Sequence, residues 1–295
     1  MKLMSRHPNL ITKALRACLL SLLLLLASNA SAEVLHIEDF GQRISDRSTT
    51  TYLDLLRLIF TDLSADDGKA GSSVRIRTLY AEDEPQAYVG EMQVKAVDGA
   101  WVRANGERAL LLFINVTSDA QLGFPWGELN VFALYEVGKQ PRLLDAVDVS
   151  GDRFTTFLGD LHLHPNDDAV LVRYQHFNAG ETFTAFALLH VGRGKVQSLF
   201  DGLPSLYYGR VCRAEIAETG DIDTSQSRHN GYRDIVFDIK QVGTKFHADC
   251  DTPGRKSTQN FRLSIGWQRG AYRYLDGGAE LKRLERGRKR LGFGD

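Results

Sequence analysis

The sequence predicts an all-β protein: a β-propeller-like array of antiparallel meander units, with a β-sandwich as the alternative fold and one amphipathic helix ahead of the strands. Three observations carry this. After Gly71 the chain breaks into short segments rich in Val, Ile, Leu, Phe and Tyr, among them RALLLFINV, AVLVRYQHF and FTAFALLHV. Turn signals such as Asn105-Gly106, Asn178-Ala179-Gly180, Asn230-Gly231 and Arg269-Gly270 separate them. No helical period intervenes, which disfavours parallel βαβ winding. Finally, one pattern recurs: FALLHVGRGKVQSLFDG, Phe186 to Gly202, is echoed by FRLSIGWQRGAYRYLDG, Phe261 to Gly277, and by FALYEVGKQPRLLDA, Phe132 to Ala146. A unit of three or four strands recurring roughly every 50 to 75 residues reads as a blade that stacks on its neighbours to bury its face.

Taken in order, the elements begin with a secretory signal peptide over residues 1–32. Lys2, Arg6, Lys13 and Arg16 precede CLLSLLLLLA, and Ala30-Ser31-Ala32 supplies the small residues of a cleavage site. The apolar run is shorter than the about 20 residues a bilayer span requires, so the processed chain is expected to start at Glu33 and not to span a membrane. Residues 33–70 form an N-terminal segment with a helix, in which Tyr52, Leu56, Ile59 and Leu63 recur at helical spacing and Leu53 and Phe60 widen the stripe. Ser48, Thr49 and Thr50 offer N-cap oxygens, and Asp66-Asp67-Gly68 stops the helix. Its stripe is expected to pack across an open end of the β structure. The β domain occupies residues 71–280, with further turns at Asp98-Gly99 and Asn166-Asp167. Residues 281–295 read as a solvated basic tail containing Lys282, Arg283, Arg286, Arg288, Lys289 and Arg290.

Charge and cysteine content bound the partners. Without the four basic residues of the signal peptide, 32 basic side chains face 37 acidic ones, a net charge of −5. Nucleic acid is therefore not an expected partner. Two of the three cysteines remain, Cys212 and Cys250, and a periplasmic or extracellular compartment favours a disulfide between them. Closing that loop of about 39 residues stabilises by about 3 to 4 kcal/mol.

The sequence contains no HExxH, GxSxG or GxxxxGK[ST]. One local signature stands out: GDIDTSQSRHNGYRDIVFDI, Gly220 to Ile239, resembles the FG-GAP and VCBS-type propeller repeats. In those loops Asp-x-Asp or Asn is followed by Asp-Gly and then by an Asp opening a strand. By that resemblance Asp221, Asp223, Asn230 and Asp234 are candidate Ca²⁺ ligands, a hard cation that takes six to eight oxygens. The spacing between Asp223 and Asn230 is longer than in the family, and Asn230 replaces a charged ligand.

Two other groups are candidates. In LHLHP, His162 and His164 lie two apart on a strand and so share a face. If Asn166-Asp167 and Ala179-Gly180 centre successive hairpins, His164 pairs with Ala169 and Ala169 with His190, giving a three-imidazole face for Zn²⁺ or Cu²⁺. Asp145, Asp148 and Asp152 invite a general acid/base reading. Loop aromatics and arginine supply a binding surface: Trp126, Tyr207, Tyr208, Arg210 and Trp267, residue types that dominate binding hot spots. The expected function is that of a non-catalytic secreted or periplasmic binding protein. Its partner would be an envelope or secreted protein or a glycan, and inhibition of an envelope enzyme is a special case. The alternative is a metal-assisted hydrolase.

Overall fold

A computed structural model of the chain describes residues 34–79, 84–118, 122–152, 154–192 and 194–293. The expected signal peptide, residues 1–32, lies outside the described residues. The all-β class with antiparallel meanders and an N-terminal helix is what the structure shows, and its pairings form two sheets.

The first sheet is a closed barrel of β1 (Lys69–Thr78), β2 (Gln86–Ala104), β3 (Glu107–Ser118), β4 (Glu128–Glu136) and β5 (Arg142–Asp148). Its strands run antiparallel except at the seam, where β1 meets β5 in parallel through Arg77↔Val147 and Thr78↔Asp148. Asp98-Gly99 is not a turn, as the sequence suggested, but lies inside β2. Gly99 pairs with Leu112, and a Cβ there would sit 2.7 Å from the Leu111 carbonyl oxygen, so the glycine allows close approach of two strands.

The second sheet contains β6 (Phe154–His164), β7 (Asp167–Asn178), β8 (Glu181–Gly192), β9 (Lys195–Phe200), β10 (Leu206–Val211), β11 (Ala214–His229), β12 (Tyr232–Phe246), β13 (Pro253–Gln268) and β14 (Ala271–Tyr274). Its order is β14-β13-β12-β11-β10-β8-β7-β6, with β9 paired to β8. The echoed segments are the hairpins β4–β5, β8–β9 and β13–β14. The last two meet in space, because Tyr274 packs edge-on against Phe200 and donates its hydroxyl to the Gly202 carbonyl.

Four hairpin turns fall at the expected residues. Asn105-Gly106, Ala179-Gly180, Asn230-Gly231 and Arg269-Gly270 each have positive φ at both positions, the signature of turns whose twist matches the flanking strands. Ala179, at φ 43°, like Arg269 at φ 52°, lacks the short polar side chain that tolerates the left-handed region by local hydrogen bonding. An Ala179→Asn variant is expected to gain about 1 kcal/mol, raising Tm by about 2–4 °C in a thermal melt.

Burial explains why several strands read as unbroken apolar runs. In β3, Leu110, Leu112, Ile114 and Val116 pack with the N-terminal segment, while Leu111 and Phe113 join a second core with Phe157, Val170, Val172, Leu189 and Val191. Leu171 and Leu188, one residue out of phase in β7 and β8, face a third core with Ile235 and Ile265. Strands covered on both sides carry apolar residues at successive positions instead of alternating.

Helix α1 spans only Tyr52–Leu56, capped by Thr51, whose hydroxyl accepts the Asp54 N–H while Asp54 accepts the Thr51 N–H. The expected longer helix gives way after Leu56 to tight turns, with Leu58 and Ile59 donating three residues back to Leu55 and Leu56. The stripe is nevertheless buried: Leu56, Ile59, Phe60 and Leu63 lie in the core with inward residues of the barrel, and the buried Tyr135 hydroxyl donates to the Leu55 carbonyl at 3.0 Å. The expected basic tail is also structured. Ala279–Arg290 form α2, whose Gly287 lies so close to Gln241 that a Cβ would sit 2.2 Å from its Oε1. Cys212 and Cys250 lie at bonding distance, with their Cα atoms 4.6 Å apart. Among the described residues no helix is long and apolar enough to cross a membrane.

Candidate functional site

The three histidines expected on one face are separated by the register of β6. The β6–β7 turn is Pro165-Asn166, so His164 pairs with Asp167, not with Ala169. A bulge then falls between His162 and His164, and Leu161 takes the place opposite Ala169. The other expected pairing, Ala169 with His190, is present. His164 instead stacks on Tyr232, with ring centroids 4.7 Å apart, and Tyr232 stacks on Trp267 at 4.6 Å. His190 lies with its Nε2 3.8 Å from Asp167 Oδ1, and burial holds its imidazole below the usual range despite that carboxylate. His162 points its Nδ1 at Asp168 Oδ1, 2.8 Å away, and at Asp160 Oδ2, 3.4 Å away.

The adjacent carboxylates Asp167 and Asp168 tie the barrel to the second sheet. Asp168 Oδ2 accepts the Arg103 backbone N–H at 2.7 Å, and Asp167 Oδ1 accepts that of Asn105 at 3.2 Å. Tyr232 donates its hydroxyl to Asp167 Oδ2, and Gly106 donates its N–H to the Asn166 carbonyl at 2.8 Å. Backbone donors from the end of β2 and the β2–β3 turn satisfy these buried acids. Two more histidines have their own aspartates: His176 Nδ1 lies 2.9 Å from Asp152, and His229 Nδ1 lies 2.6 Å from the buried Asp234.

The remaining acidic candidates are likewise dispersed. Asp221 pairs with Asp238 and Asp223 with Val236 along β11, Asn230 sits at the hairpin tip donating to the Trp267 carbonyl, and Asp234 is engaged by His229. Asp221, Asp223 and Asp234 do not bring three ligand atoms together; among the described residues the group that does so is Asp160, His162 and Asp168. Asp145 binds Arg77 through both oxygens and accepts the Val196 N–H, a structural role. Asp148 accepts the Ser150 N–H, and burial raises its pKa.

The aromatic candidates resolve into one row and three separate places. Tyr207 pairs with Phe183 across β10–β8, and Phe183 pairs with His176 across β8–β7, so all three stand on one side of the sheet. Trp126, 61% exposed, extends the row from the β3–β4 connection with its ring 6.2 Å from that of His176. At the other end Phe293 packs on Tyr207. Beside Phe183 and Tyr207 lies a hollow of ≈ 250 Å³, also lined by Glu181, Ser205 and Arg288. The Tyr207 hydroxyl donates to Glu181 at 2.6 Å, and burial with that carboxylate pushes its pKa up to about 12. The hydroxyl therefore stays a donor at any physiological pH.

No family model, curated protein or solved structure matches the chain. Of the other surface candidates, Tyr208 pairs with Thr182, opposite Phe177, and so stands on the reverse side of the sheet. Arg210 lies over the Phe246 ring and donates to the Cys250 carbonyl beside the cysteine pair. Trp267 is committed to the Tyr232 stack. Sequence reasoning missed Phe183, His176 and Glu181. The alternation in ETFTAF was the signal for Glu181 and Phe183, which are two apart on a strand that begins at a turn, whereas His176 joins them only through cross-strand pairing.

Proposed function

We propose that this is a non-catalytic secreted or periplasmic binding protein whose contact surface is the row from Trp126 through His176 and Phe183 to Tyr207. The exposed row carries the reading. Trp126 and the 39% exposed Phe183 present large rings to solvent, while the Glu181–Arg288 hollow supplies polar groups that orient a bound partner. Flat rings at strand spacing, with acid, base and hydroxyl at one end, suit a glycan chain or the side chains of an envelope protein. Inhibition of an envelope enzyme is one use of such a contact. The resemblance of Gly220 to Ile239 to FG-GAP and VCBS-type repeats points the same way. An extracytoplasmic location is supported by the N-terminal leader pattern and by the cysteine pair at bonding distance. The alternative, a metal-assisted hydrolase, calls for histidines gathered in one concave pocket. Here His162, His176, His190 and His229 are each next to a different aspartate.

The test is a comparison of wild type with a Trp126→Ala/Phe183→Ala double variant. Both are immobilised and exposed to a glycan array and to an envelope extract. A ligand retained by wild type and weakened at least tenfold by the double variant, with unchanged circular dichroism, is the expected result. Equal retention by both proteins would move the binding surface elsewhere, and turnover of a retained ligand would replace binding by catalysis.

A further inference from the structure

We infer that Asp160, His162 and Asp168 form a binding site for a divalent first-row transition metal ion, independent of the aromatic row. The site is built on strands. Asp160 and His162 alternate along β6 and so project from one face, and Asp168 is the direct cross-strand partner of His162. Their ligand atoms, one from each residue, all lie within 4.8 Å of one another. A tetrahedral ion with bonds of about 2.0–2.2 Å separates its ligands by about 3.3–3.6 Å. The gap between His162 Nδ1 and Asp160 Oδ2, 3.4 Å, already fits. The 2.8 Å gap to Asp168 Oδ1 opens by a small turn of the imidazole, which is free to make it because the His162 side chain is 59% exposed.

The surroundings hold one ligand in place and leave the others accessible. The Asp168 side chain is 1% exposed, and its Oδ2 is fixed by the Arg103 backbone N–H, which leaves Oδ1 directed at His162. The Arg103 guanidinium, 3.5 Å from both oxygens, offsets one of the two carboxylate charges, so a divalent ion enters a site with a net charge of about −1. The bulge after His162 turns His164 away to Tyr232, which is why the imidazoles separate while His162 gains two carboxylates. One imidazole nitrogen and two carboxylate oxygens suit zinc, cobalt or manganese. Calcium calls for more oxygens than the site offers.

The experiment is calorimetric titration of chelator-stripped protein with Zn²⁺, together with the visible absorption of the Co²⁺ form. Wild type is expected to bind one ion per chain. Asp160→Asn and His162→Gln, both at partly exposed positions that leave Asp168 in place, are expected to weaken binding at least tenfold and to bleach the Co²⁺ bands, with unfolding midpoints unchanged. His164→Gln serves as the control and is expected to bind like wild type. The assignment is overturned if wild type takes up no ion, if either ligand variant binds within twofold of wild type, or if His164→Gln weakens binding as much as they do.

Discussion

An Arg288→Met variant is expected to lose about 3–5 kcal/mol of unfolding free energy, the cost of leaving a buried carboxylate without its charge partner. The Glu218 side chain is fully buried. Its Oε1 accepts from Arg288 Nε at 2.9 Å and from Gln241 Nε2 at 2.8 Å, and its Oε2 accepts from Arg288 Nη2 at 2.5 Å and from the Tyr207 backbone N–H at 3.0 Å. Without Arg288 only the two neutral donors remain. Urea denaturation checks this as a lower midpoint at unchanged slope. A Glu218→Gln/Arg288→Met double variant is expected to recover much of the loss, because the neutral amide needs no counter-charge. A cost below 1 kcal/mol in the single variant would mean that α2 contributes little to holding the sheet.

Phe132→Ala is expected to cost a similar amount, about 3–5 kcal/mol, through a different mechanism. Phe132 is fully buried between the barrel and the second sheet, edge-on to Phe113 at 5.3 Å and to Phe157 at 5.5 Å. Truncation leaves a cavity at this joint and removes both ring contacts. Phe154→Ala, at a 45% exposed ring of β6 in the second sheet that packs edge-on to Phe177, is the comparison and is expected to cost no more than about 1.5 kcal/mol. Equal effects in the two variants would overturn the placement of the joint.

What could be read from the sequence follows from the range of the forces involved. Hairpins were legible because Asn230-Gly231 and Asn105-Gly106 carry their φ preference locally. The apolar runs announced strands, but the strand boundaries around Asp98-Gly99 did not show, since that glycine answers to a carbonyl on the neighbouring strand. Helix α2 went unread because Leu281 and Leu284 are nearly its whole apolar stripe, and its anchor, Glu218, lies 70 residues earlier in the chain. The histidine face failed because the β6–β7 turn falls one residue earlier, at Pro165-Asn166, and is followed by a bulge whose position no propensity marks. Likewise the aromatic row depends on cross-strand neighbours, and only Trp126 and Tyr207 of its members stood out as loop-borne rings.

The middle strands β7 and β8 carry a kinetic liability. Val170, Val172, Leu171 and Leu188 have their solvent shields on opposite sides, one supplied by residues earlier in the chain and the other by residues much later. During synthesis, these strands would therefore emerge with one flank protected and the other sticky until β12 and β13 arrive. Assembly of such a stack is governed by distant contacts and is slow, so a chaperone that masks Leu171 and Leu188 would raise the yield of native protein.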